Sequence, residues 1–382
     1  MELQEVTLQA IDRTLLFLEK SPWNGLLSGR VESLKKQVTD PCVLAVAGRV
    51  KAGKSTLVNA LLGGEFSPTG NTETTATINY FRYGVPDDPG RPVLCVWRNG
   101  RRTWESRSFL ESLQGNDEAT LRKAEGIHHL EFYLQHPDLQ QVTLVDTPGT
   151  DAIVGADGET HEQTTDQFFR TEKKEKAGDE PGNPLRTEMR KRQSQQTVEI
   201  TDTADAVIYL VGQVAHATNL EFLQEFQHAA SGRTRALNAV GVMSKVDQHD
   251  EVMKQRHVLA AAVAEKLSGE LNTVVPVSAA LATAVRVLSA DKPRLEKIRE
   301  AMLEIPESRF ERMVASDRTF LREYEDCPVS VERRRACMEG MPWRAFVAIA
   351  RELRAGSTAE ALDRIQEMSG FTALRALLDN HF

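Results

Sequence analysis

An α/β architecture, with a central and mostly parallel sheet flanked by helices, follows from three observations in the sequence. Apolar runs at 43–47, 142–145, 237–243 and 274–277 have the length and continuity of strands buried on both faces. Each run ends in a short stretch of small, polar or charged residues: GRVKAGKST, DTPG, SKVD and SA, in that order. Helix-forming sequence such as LVNALL, directly behind the first of these stretches, supplies the connections that a parallel sheet requires.

Ahead of the first strand, Leu3, Val6, Ala10, Leu15 and Leu18 fall near helical spacing. Ser21 followed by Pro22 predicts a second helix start, a cap with proline at the first position. Trp23, Leu26, Leu27, Val31 and Leu34 give that helix an apolar face. Residues 1–40 are thus expected to form an amino-terminal helical segment.

The stretch 48–56 matches G-x-x-x-x-G-K-S in the strand–loop–helix context that a phosphate-binding loop needs. Its residues, Gly48, Arg49, Val50, Lys51, Ala52, Gly53, Lys54, Ser55 and Thr56, are the expected cradle for a nucleoside triphosphate. Backbone amides and the start of the following helix would face the phosphates. Lys54 would bridge β- and γ-phosphates, and Ser55 would ligate magnesium.

Between 64 and 83 a polar stretch enters a strand. Thr75 is the expected residue closing over the γ-phosphate and magnesium, with Thr74 its rival. Asp146 opens DTPG at the end of the next apolar run and is expected to hold magnesium through water. Gly149 would sense the γ-phosphate through its amide. In SKVD, Asp247 can accept hydrogen bonds from the ring N–H and amino group of guanine, a pattern adenine does not offer. Lys245 would lie along the base, and Ser244 stands where Asn or Thr is usual. Ser278 and Ala279 follow the last run and place a backbone amide for the guanine oxygen. Together these stretches predict a P-loop GTPase domain over 41–292 that takes GTP as substrate and Mg2+ as cofactor.

Within that domain, 156–195 turns polar and charged and reads as an insertion, either solvated or a docking element. His161 is a candidate for placing water. From 293 to 367 helix formers dominate, and Pro306, Pro328 and Pro342 predict three or four helices. Trp343, Phe346, Val347, Ala350 and Leu353 share one helical face, which suits a core better than a lipid interface. The end, 368–382, reads as a closing helix of the GTPase domain.

The stretches GRVKAGKSTLVNALLG, ETTATINYFRYG, HLEFYLQHPDLQQVTLVDTPGTD, SKVD and VPVSAALATA resemble the dynamin superfamily, in particular bacterial dynamin-like GTPases. The long interval between Lys54 and Asp146, with room for strands at 93–97 and 127–135, is similar to that family and unlike small Era-like domains. The resemblance implies hydrolysis of GTP to GDP and phosphate, stimulated when GTPase domains dimerise or meet a hetero-partner of the same kind. It also implies a long stalk, which is not evident before Phe382, and allows peripheral contact with a membrane. Dynamin places a serine, and guanylate-binding relatives an arginine, where this chain has Lys51. By that resemblance Lys51, Lys54, Thr75 and Gly149 form the catalytic set, with Arg49 a second cationic candidate.

Composition sets bounds on these expectations. A net charge of −8 argues against a general nucleic-acid-binding surface. Four scattered cysteines and an acidic start suit a cytoplasmic protein. No apolar run approaches the roughly 20 residues of a membrane span. Two other functions stand beside the enzyme: a slow GTP-dependent switch that selects partners, and an Era-like ribosome-associated GTPase, which would need a basic module.

Overall fold

The computed structural model describes residues 3–49, 51–67, 77–113, 118–148, 197, 200, 204–212, 239–268 and 271–381. Among them, nine strands form one sheet in the order β4-β3-β5-β2-β6-β1-β7-β8-β9. The mixed α/β class expected from sequence is the one that forms.

Helices α1 (Leu3–Glu19) and α2 (Asn24–Thr39) make a hairpin, bridged by a 2.7 Å ion pair from Lys35 to Asp12. The second helix starts later than Ser21-Pro22 suggests. Ser21 Oγ instead accepts from the Trp23 amide in a turn, and no side chain caps α2. Trp23, just before it, and Leu26 and Leu34 on it are exposed.

Strand β1 (Cys42–Gly48) lies near the middle of the sheet, parallel to β6 (Val142–Asp146) on one side and β7 (Ala206–Val211) on the other. Strands β8 (Ala239–Ser244) and β9 (Thr273–Val277) continue the parallel half. On the far side, β2 (Asn79–Tyr83) runs antiparallel to β6 and parallel to β5 (Ile127–Leu134). The hairpin of β3 (Val93–Trp97) and β4 (Arg102–Glu105) then closes the edge. Side chains alternate along β1. Leu44 and Val46 enter one core with α3 (Lys54–Leu62), while Ala45 and Ala47 enter the other.

Two short helices, α4 (Arg107–Glu111) and α5 (Glu118–Glu125), precede β5. Helix α6 (Asp250–Lys266) connects β8 to β9, and α7 (Ala279–Ala290) follows β9. Its buried Leu281, Val285 and Leu288 join the second core, which continues into the carboxy-terminal helices.

Those are α8 (Lys292–Glu304), α9 (Glu307–Met313), α10 (Asp317–Phe320), α11 (Val331–Met338), α12 (Trp343–Ala355) and α13 (Thr358–Ser369). Six helices form where proline positions alone suggested three or four. Pro306 and Pro342 do stand just before α9 and α12, but Asp291 caps α8 and serines cap the other three. Ser316, Ser330 and Ser357 accept backbone amides at the heads of α10, α11 and α13. The apolar face of α12 is core: Phe346, Val347, Ala350 and Leu353 are buried, and Phe346 packs on Phe320 and Trp343.

Gly370 then turns the chain into α14 (Phe371–His381), which puts Phe371 and Leu374 into the core on the α3 side. Its φ of 68° and the Pro276 carbonyl, which a Cβ would overlap, exclude a side chain at this crossing. The Ser278 amide donates to Ser369 O at 2.8 Å, tying α13 to the end of β9.

Candidate active site

The carboxyl ends of β6, β1, β8 and β9 all lie at one edge of the parallel half, with β7 between β1 and β8, so the loops that follow them meet there. The first loop is shaped by glycines at both ends. Gly48 has φ 146°, and a Cβ there would stand 2.9 Å from the Leu210 carbonyl on β7. Gly53, at φ 97°, turns the loop into α3. Among the described residues, Lys51 and Lys245 are the two non-glycine positions with positive φ, at 60° and 59°. Such conformations cost on the order of 1–3 kcal/mol and cluster at functional sites. Here they face each other, for Lys245 Nζ donates to the Lys51 carbonyl at 2.5 Å. Ser244 Oγ donates to Ala52 O at 2.7 Å, so both leading residues of SKVD pin the loop expected to hold phosphate. The serine that departs from the usual residue therefore still reaches across.

Lys54 is buried, and its ammonium donates to the Gly48 and Arg49 carbonyls, both at 3.0 Å. That places the charge within the arch of the loop. Arg49, Lys51 and Thr56 are exposed around it. Ser55, the second residue of α3, donates through Oγ to Asp146 Oδ2 at 2.8 Å. Ser67 Oγ donates to the same oxygen at 2.5 Å. Asp146 is fully buried, and burial pushes its carboxyl above the ordinary range, opposed by the Ser67 and Ser55 hydroxyls and the Lys54 charge. Its other oxygen, Oδ1, is buried without a protein partner. A hard divalent cation fits this donor set: a hydroxyl, a carboxylate and an oxygen left to complete.

Thr147 Oγ1 donates to Val46 O at 2.9 Å, fastening the start of DTPG to β1. Asp247 is half-buried in the turn Val246–Gln248, next to the pinned Lys245. Ser278 is committed elsewhere: its hydroxyl accepts the Leu281 amide at the head of α7, and its amide is taken by Ser369. Of the expected pair, Ala279 holds the first amide of the helix, which has no partner within a helix. Val50, Thr74, Thr75, Gly149, His161 and the insertion 156–195 lie outside the described residues.

Two residues that the sequence did not single out belong to the site. Asn59, buried on α3, accepts the Phe66 and Ser67 amides at 2.9 and 2.7 Å and donates to Ser67 O at 2.8 Å. It thereby carries Ser67 to Asp146. An amide side chain inside the apolar run LVNALL was a legible signal for Asn59; nothing local marked Ser67.

The pattern of the Dynamin family matches residues 44–246, more than half of the chain. The chain belongs to the dynamin family. This dynamin-like GTPase is also similar to the isoniazid-induced protein IniC of Mycobacterium tuberculosis, at 28% identity over 267 residues, covering 68% of this chain and 46% of IniC. It thus spans about half the length of the curated relatives it matches. A solved structure of an oligomerised bacterial dynamin pair aligns with 80% of this chain and 45% of its own, at 12% identity and a TM-score of 0.43. Era bound to MgGDPNP and nucleotides 1506–1542 of 16S ribosomal RNA aligns over 72% of this chain and 70% of its own, at 16% identity and a TM-score of 0.34. The expectation of a dynamin-like GTPase is borne out at the level of the family.

Proposed function

We propose that this dynamin-family chain binds GTP with Mg2+ at residues 48–56 and hydrolyses it to GDP and phosphate when two such domains associate. The observation that carries the reading is the buried Asp146 carboxylate. It has one oxygen on Ser55 and one unpartnered, beside a lysine already drawn into the loop. Ser55 and Asp146 would hold the ion, with Thr75 as the expected third member. When bound, the ion neutralises charge building between β- and γ-phosphates. Lys54 stabilises the same charge from within the loop, and the Gly149 amide would close on the γ-phosphate. Asp247 selects guanine, Lys245 flanks it, and the Ala279 amide meets the ring oxygen. We assign GTP handling to 41–292 with 368–382, and regard 293–367 as a helical insertion.

Lys51 is the proposed cationic finger. It is exposed at the mouth of the loop, in a left-handed conformation held by Lys245. Association would bring it onto the phosphates, a contact whose loss costs on the order of 10³ in rate where an arginine acts. The testing experiment is hydrolysis per molecule as a function of protein concentration. A rate that climbs with concentration, and climbs far less in Lys51→Ala at unchanged GTP affinity, supports the reading. A flat, very slow rate assigns the chain to a nucleotide-dependent switch instead. Association with vesicles is a separate question, answered by co-sedimentation with and without GTP. Among the described residues, no helix is long and apolar enough to cross a membrane.

A further inference from the structure

Asn79 opens β2 and lies directly opposite Asp146 in the antiparallel pairing of β2 with β6. Directly opposed residues of such a pair project from the same face, with Cβ atoms about 4.5–5.5 Å apart. That face looks toward α3, because Phe81 and Leu144, two positions along each strand, sit in the core with Leu57 and Val58. Asn79 is 1% exposed and Asp146 0%. Its partner on β5 is the buried Leu130.

The amide is bonded at one end only. Thr77 Oγ1 donates to Asn79 Oδ1 at 3.1 Å. The opposite end, Nδ2, is buried and has no protein partner. Asp146 Oδ1, on the residue beside it, is likewise buried without one. An orphaned donor and an orphaned acceptor are each unfavourable in a core. Adjacent on one sheet face, with opposite hydrogen-bonding character, they are complementary, and one water held by both would satisfy each. A position that only filled space between Phe81, Leu130 and Leu144 would be served by an apolar residue.

We propose that Asn79 is a positioning residue for the metal-side carboxylate: Nδ2 donates, through a bridging water, to Asp146 Oδ1. Ser67 and Ser55 hold Oδ2 of Asp146, and the Asn79-bound water takes one lone pair of Oδ1, leaving the second for the cation side. The carboxylate is then held in one orientation toward the cation. Through Thr77 the same amide joins the start of β2 to the metal side of the site. The inference rests on the reading of Asp146 as the carboxylate that serves Mg2+.

The test compares Asn79→Thr with Asn79→Val, which differ only in a hydroxyl and are both suited to a strand. The readout is binding of a fluorescent GDP analogue titrated with Mg2+, alongside binding in EDTA and the melting temperature without nucleotide. Loss of an outer partner of a metal ligand typically weakens metal affinity 10–100-fold. The Val variant should need at least about tenfold more Mg2+ than wild type, while Thr stays within about threefold. EDTA-state affinity should match between the two, and both should unfold in a single transition. Thr and Val behaving alike would overturn the assignment. So would a Val variant that loses its fold together with its metal response, which would make Asn79 a purely structural residue. If wild type itself gains nothing from Mg2+, the reading of Asp146 fails first, a result distinct from either.

Discussion

The two halves of the sheet solve different problems. Strands β6, β1, β7, β8 and β9 are parallel and almost wholly buried, and their carboxyl ends carry every described site loop. Strands β2, β5, β3 and β4 mix directions, and one of their faces is polar. On it, Glu131 accepts from Tyr133 Oη at 2.6 Å, pairs with His129 at 3.0 Å and lies 3.5 Å from Arg102. Tyr80 packs edge-on against His129, with Arg82 over its ring. The parallel half is an apolar platform whose chemistry is confined to its rim. The mixed half carries charge within the sheet itself, and touches the rim at the Asn79–Asp146 pairing.

The strongest way to break this contrast is to hollow the mixed half. Phe81 is fully buried and stacks on Phe132 with centroids 4.9 Å apart. Phe81→Ala should cost about 3–5 kcal/mol, the usual loss for a core aromatic. Denaturant unfolding should remain a single transition, because β2 is bonded directly to β6; two separate transitions would show that the halves fold apart.

Next in size is a change at the rim alone. Lys54→Ala should weaken GTP binding by about a hundredfold or more, as expected for loss of a charge-assisted contact to phosphate of about 3 kcal/mol. Because Lys54 also donates to the Gly48 and Arg49 carbonyls, the nucleotide-free protein should lose about 1–3 kcal/mol but stay folded. Calorimetric binding within a few-fold of wild type would remove Lys54 from the site.

A smaller effect separates the halves by pH. A hydrogen bond from His129, and a second from Tyr133, hold Glu131 down to about 2 against the opposing effect of burial. Its folded pKa lies below the unfolded value of 4.5, so its stabilisation is complete above that value and fades as pH falls toward 2. Glu131→Gln should cost about 1–3 kcal/mol at neutral pH and flatten the stability profile between about pH 5 and 2. A variant whose acid profile overlays wild type would refute the assignment.

Smallest should be the exposed links of the helical region. Arg351 pairs with Asp250 at 2.8 Å and Glu311 at 3.1 Å, with all three side chains more than a third exposed. Arg351→Ala should cost under about 1 kcal/mol, and less in high salt, by denaturant titration.

Four of the five parallel strands were legible in sequence, because burial on both faces leaves unbroken apolar runs and each of those runs ended at its functional loop; β7 (Ala206–Val211) is as apolar, but no motif follows it to mark it. Gly48, Lys54, Ser55 and Asp146 were readable for the same reason: their spacing is fixed by strand and helix. Ser67 was not, because it reaches Asp146 only through Asn59, a contact set by tertiary folding. Asn79 was hidden too, since its partner lies across a strand pairing that no local pattern specifies. The helix starts at Ser316, Ser330 and Ser357 were missed because proline was read as the sole breaker, although serine caps mark helix starts as clearly.

The central claim is guanine recognition beside a phosphate cradle, and calorimetric titration of the full chain with GTP and with ATP, both with Mg2+, tests it most directly. The account predicts that GTP binds at least about a hundredfold tighter than ATP, a gap of roughly 2.7 kcal/mol, and that Asp247→Ala abolishes the difference. ATP binding as tightly as GTP, or a preference untouched by Asp247→Ala, would contradict it.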